Sequence, residues 1–111
     1  MRQFQNNVLD YKWEVSGDYT SAHMETAWAT EAMFFVRVEQ AHGKDFRFNA
    51  RAQISVNGID WIDEGTAFEP IKGDGQYVIR LKHFGGWLRI TGGLSGENPT
   101  AIITTNLVLK E

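Results

Sequence analysis

Three histidines, a loose group of carboxylates and one tryptophan–arginine pair are the residues of this chain with chemistry to offer. His23, His42 and His83 lie far apart, and none has a second ligand two or four residues away, the spacing that puts two imidazoles on one metal ion. His42 beside Gly43 and His83 beside Phe84-Gly85 fall at turns, so solvated loop imidazoles are the expectation. Acid gathers at Asp60, Asp63 and Glu64, with Glu69 and Asp74 further on. Two carboxylates three residues apart beside a turn could hold calcium, but a calcium loop adds a run of alternating oxygen ligands that this stretch lacks. Asp60 and Asp63 read more simply as a solvated hairpin edge, charged against edge-to-edge pairing. No Gly-x-Ser-x-Gly elbow, phosphate loop or His-Glu-x-x-His occurs. The expectation is a chain with no catalytic centre, no cofactor and no tightly held metal.

Trp87 and Arg89 are the surface candidates. If Leu88 and Ile90 face the core, strand alternation puts Trp87, Arg89 and Thr91 together on the outer face. A tryptophan beside an arginine could anchor a sugar ring or a protein partner. Equally, Trp87 could cap the end of the fold while the Arg89 stem covers an apolar patch. Arg47 and Arg51 on one strand and Arg80 on another suggest that positive charge lines one sheet against an acidic remainder. Such a divided surface suits self-association.

Strands must position these residues. Phe46, Phe48, Ala50, Ala52, Ile54 and Val56 fall on one face of an extended segment, with Arg47, Asn49, Arg51, Gln53 and Ser55 on the other. Asn57-Gly58 then supplies the residues of a tight hairpin turn, and Trp61 returns on the partner strand as a core aromatic. Tyr11 to Val15, Ala32 to Glu39, Ile59 to Asp63, Gln76 to Lys82, Trp87 to Thr91 and Thr100 to Leu109 carry further strand patterns. Turns are expected at Ser16-Gly17-Asp18, near Gly43, at Gly85-Gly86, and from Gly92-Gly93 through Ser95 to Pro99. Residues 21–31 are ambiguous, because His23, Met24, Ala27 and Trp28 could line a helix face that Thr26 and Thr30 weaken. About eight short strands with no long helix predict an antiparallel two-sheet β-sandwich of jelly-roll character, one domain over residues 1–111. Phe48, Ile54, Trp61, Ile79, Leu88 and Ile90 are its expected core.

Composition narrows the function classes. A chain of 111 residues and 12.6 kDa, 42% hydrophobic and with fourteen aromatic residues (four Trp, seven Phe, three Tyr), can bury one core. A net charge of −3 argues against nonspecific binding to nucleic acid or to an anionic membrane surface. The absence of cysteine removes disulfides and thiolate chemistry and favours synthesis in a reducing compartment. No signal-peptide pattern and no apolar run of transmembrane length is present, which suggests cytoplasmic synthesis.

Gln53-Ile54-Ser55-Val56-Asn57-Gly58-Ile59-Asp60-Trp61, followed by Phe84-Gly85-Gly86-Trp87-Leu88-Arg89-Ile90, resembles two groups. One is the discoidin-like, galactose-binding-like domains, with a Ser-x-Asp-Gly-x-x-Trp hairpin and a later aromatic-Val-Arg-Ile strand. The other is the small β-sandwich virion proteins of tailed phages and prophages. These share the hairpin and add a terminal Gly-x-x-Pro-x-hydrophobic strand, here Gly96-Glu97-Asn98-Pro99-Thr100-Ala101-Ile102. The resemblance covers about residues 46 to 109, and its motifs are structural. It implies a non-enzymatic protein that assembles with itself, for instance as a trimer, and with other virion proteins, in capsid decoration or in the tail. The alternative it implies is a carbohydrate-binding module using Trp87.

Overall fold

A computed structural model describes residues 4–82, 84 and 86–111. His83, Gly85 and the first three residues lie outside the described residues, so the turn reading at His83 and part of the Gly85-Gly86 reading stay with the sequence. Seven antiparallel strands run through the described chain: β1 (Phe4–Val15), β2 (Asp18–Thr20), β3 (Met24–Glu25), β4 (Glu31–Ser55), β5 (Ile62–Ala67), β6 (Gly75–Lys82) and β7 (Trp87–Lys110). They form one hydrogen-bonded sheet in the order β1-β7-β4-β5, with β6 also on β4 and β2 and β3 also on β7. No helix occurs among the described residues. The ambiguous stretch 21–31 holds β3 and a turn in which the Ala29 amide donates to the Thr26 carbonyl.

The strands are fewer and longer than expected. A straight 25-residue strand would span about 80 Å, yet the longest dimension of the molecule is 46 Å, so β4 and its partner β7 must bend. The corner lies where Gln40 (φ 50°), Gly43 (φ 123°) and Asp45 (φ 58°) face Gly96 (φ 119°) and Asn98 (φ 47°), and where the β4–β7 register slips. A Cβ on Gly43 would lie 2.9 Å from the Glu97 carbonyl oxygen, and one on Gly96 would lie 2.7 Å from that of Lys44. Both glycines are therefore fixed by conformation and by space. Residues 95–99, expected as a long turn, are the outer limb of this corner. Gly92-Gly93, expected as a turn, is continuous strand paired with Asn49-Ala50 on one side and Asp18-Tyr19 on the other.

The corner divides the sheet into two arms. The first holds β6, β4 from Glu31, the end of β7 and β1. The second holds β5, β4 from Arg47, the start of β7, β2 and β3. Each arm buries alternate residues: Phe34, Val36, Val38, Ile103, Leu107 and Leu109 in the first, and Phe48, Ala52, Leu88 and Ile90 in the second. Tyr19 joins them. Its ring packs edge-on to Phe48 at 5.9 Å, and its hydroxyl donates to Asp10 (2.6 Å) while accepting from Thr105 (2.7 Å). Burial, reinforced by the Asp10 hydrogen bond, pushes the Tyr19 hydroxyl far above its ordinary pKa, so it stays protonated.

Of the expected core, Phe48, Ile79, Leu88 and Ile90 are buried, and Ile54 packs against the core at partial exposure. Trp61 is a correction: it is half-buried and sits just before β5, outside any strand. Ile54 pairs with Ile62, and β4 ends at Ser55, so residues 56–61 form a wide loop rather than a two-residue turn. Gly58 has the expected positive φ of 78°, whereas Asn57 does not. The loop is organised by side chains. Ser55 Oγ accepts from the Asn57 and Gly58 amides, and Asn57 Oδ1 accepts from Ser55 Oγ and from the Ile59 and Asp60 amides. That cap needs Ser55 turned inward, which reverses the alternation and leaves Val56, expected inside, 92% exposed.

Candidate functional site

The same alternation that buries Leu88 and Ile90 turns Trp87 and Arg89 to the outer face of the second arm. On the neighbouring strand Gln53 lies directly across from Arg89, and the Arg89 Nε donates to Gln53 Oε1 at 2.9 Å. The Gln53 amide nitrogen donates in turn to Asp63 Oδ1 (3.0 Å), which also accepts from Arg51 Nε (2.9 Å). This chain of contacts fixes the plane of the Arg89 guanidinium. The wide loop then brings Trp61 beneath it, with the guanidinium carbon 4.2 Å from the ring centre. His23, from the segment between β2 and β3, lies 5.5 Å from the Trp61 ring and 5.5 Å from the Trp87 ring, tilted to the first and edge-on to the second.

Gly58 completes the arrangement. A Cβ there would fall 3.3 Å from the Trp87 indole, so the loop backbone lies almost on the ring. Around the loop, Val56, Ile59 and Ile62 are exposed. Together these residues make an aromatic platform with one cation set into it and an apolar rim. Partial burial holds the Arg89 guanidinium below its ordinary pKa.

The other sequence candidates are distributed differently. Arg51 joins the platform only through Asp63. Arg47 lies closer to the corner, opposite Ser95, and donates to the Phe46 carbonyl. Arg80 pairs with Met33 on the first arm. The expected single line of positive charge is therefore broken, by the bend between Arg80 and the others and by Asp63 at Arg51. Asp60 and Asp63 serve different partners, since Asp60 accepts from Asn57 Nδ2 at 3.1 Å while Asp63 belongs to Arg51 and Gln53. They thus belong to separate hydrogen-bond networks, and no group of three or more His, Cys, Asp or Glu side chains that could hold a metal ion is found among the described residues. His42 is exposed at the corner but lies within β4, opposite Thr100, and not in the turn expected there. The sequence reading does not include His23, a neighbour of Trp87, or Gln53 and Trp61, neighbours of Arg89, in this site. Only Gln53 left a signal, its place on the outer face of the β4 alternation.

The hydrogen bond from Gln53, with that from Arg51, holds the Asp63 carboxyl below its ordinary pKa. A depressed folded-state value adds stability above the unfolded carboxylate value of about 4. That stability is lost as pH falls through the folded value. The melting-temperature gap between the native chain and Asp63→Asn should therefore be open at pH 7 and close as the buffer is taken below about pH 4. A gap that persists unchanged at the acid end would rule out the carboxylate as its source.

No protein-family model matches the chain, and no curated protein matches it. Among solved structures it is similar to that of FlhE, at 7% identity and a TM-score of 0.49, over 98% of this chain and 96% of that one.

Proposed function

We infer that this chain is a non-enzymatic recognition domain that binds carbohydrate on the His23–Trp61–Trp87–Arg89 platform. The supporting observation is the pair of half-buried indoles, one beneath a guanidinium, held in place by a side-chain-capped loop. A pyranose presents an apolar C–H face to an indole and hydroxyls to the flanking Gln53, Arg89 and His23. An unoccupied side chain fixed this firmly loses little conformational entropy on binding. We also propose that the bent sheet closes into two facing layers, a sandwich of jelly-roll character, an arrangement supported by the Tyr19–Thr105 hydrogen bond between the arms.

A second reading, self-assembly as a virion-type structural component, is supported by the edge strand β1. Phe4, Val8, Tyr11 and Trp13 are exposed along it. One pair of measurements separates the two. A glycan array followed by titration should find a defined saccharide, with Trp87→Ala weakening binding about thirtyfold or more while the melting temperature moves by a few degrees. Light scattering should show a monomer at all concentrations. A trimer or larger ring with no glycan bound would replace this reading with assembly.

A further inference from the structure

We propose that the platform selects acidic saccharides, with the terminal nitrogens of Arg89 receiving the carboxylate of a sugar acid stacked on the indoles. This rests on the carbohydrate reading and adds the charge of the ligand to it. The argument starts from where each donor of Arg89 goes. Nε is committed to Gln53. The ring of Trp61 covers one face of the guanidinium. Among the described residues the ion pair on this face is that of Arg51 with Asp63, and no carboxylate lies within 4.0 Å of Arg89. Asp63 neutralises Arg51, whereas among the described residues no acceptor is found for the Nη1 and Nη2 edge of Arg89.

That edge matches a carboxylate in a bidentate, end-on pair. Arg89 is partly buried, so water screens such a pair somewhat less than it would on an open surface. Gln53 and Trp61 hold the group in one plane before any ligand arrives, which suits the planar fork. A neutral sugar would gain the stacking but would meet this donor pair with uncharged hydroxyls alone. Carboxylates of this kind come from two sources, uronic acids and sialic acids, and both offer a ring with an apolar face next to the charge.

The test is calorimetric titration of the full chain with tetragalacturonate against its methyl ester, and with sialyllactose against lactose. At least one acid should bind roughly ten- to a hundredfold more tightly than its neutral counterpart, and added salt should weaken the acid alone. The pair that shows the gap identifies the source. Arg89→Gln should bring the acid down to the level that its neutral counterpart shows on the same variant, with Arg89→Lys in between. The Lys variant keeps the outcome readable if the Gln variant is poorly folded. Equal binding of acid and neutral forms, lost in Trp87→Ala, would overturn the carboxylate inference and leave the carbohydrate reading standing. So would acid binding that survives Arg89→Gln. Binding of none of the four saccharides, together with an empty glycan array, would overturn both.

Discussion

Phe48→Ala should cost about 3–5 kcal/mol in denaturant titration, and Trp61→Ala only about 1–2 kcal/mol. The order matters, because the sequence places both rings in the core. Phe48 is 0% exposed, packs edge-on against Tyr19, and exchanges backbone hydrogen bonds with Ile71. Removing its ring opens a cavity at the point where β2 meets β4, and the flanking backbone pairs oppose its collapse. Trp61 is half-buried, and its neighbours Arg89 and His23 can turn to water once the indole is gone. Both variants should shift the midpoint with an unchanged denaturant slope. A Trp61 loss as large as that of Phe48 would return the ring to the core and take it out of the platform.

Gly92→Ala is the second large effect, at about 2–3 kcal/mol. Its backbone has no unusual dihedral, so the cost is steric. A Cβ at Gly92 would meet the Asn49 carbonyl oxygen and lie 2.7 Å from the Ala50 Cα. The strand cannot retreat, because Gly92 pairs with Ala50 on one side and with Tyr19 on the other. Gly17→Ala is the matched control: nothing lies within 4 Å of a Cβ there, and its stability should change by no more than about 0.5 kcal/mol. A neutral Gly92→Ala would mean the two strands are further apart than described.

These residues show what local pattern can carry. The alternation from Phe46 to Ala52 is visible in the chain because each residue meets the same two environments in turn. It stops being informative at Ser55, where a hydroxyl capping two amides outweighs the burial of Val56. With that inversion the tight turn disappears and Trp61 moves from core to surface. Gly43, Gly96 and Pro99 signal a change of chain direction correctly, but composition cannot distinguish a hairpin from a corner. The distinction lies in a strand partner far along the chain, such as Thr100 for His42. Trp87 and Arg89 were placed on one outer face by alternation alone. His23 was not, since it reaches the platform only through the pairing of β3 with β7.

The bend in β4 and β7 also settles what can be cut from this molecule. The chain begins in the first arm, crosses to the second for β2 and β3, and returns for the start of β4. It passes round the corner into β5, goes back for β6, and crosses again to begin β7, whose own corner leads home. No contiguous piece of sequence encodes either arm. The platform's residues, from His23 to Arg89, are interleaved with segments that build the opposite arm. It is therefore not a transplantable module, and the smallest unit that can carry it is the whole fold.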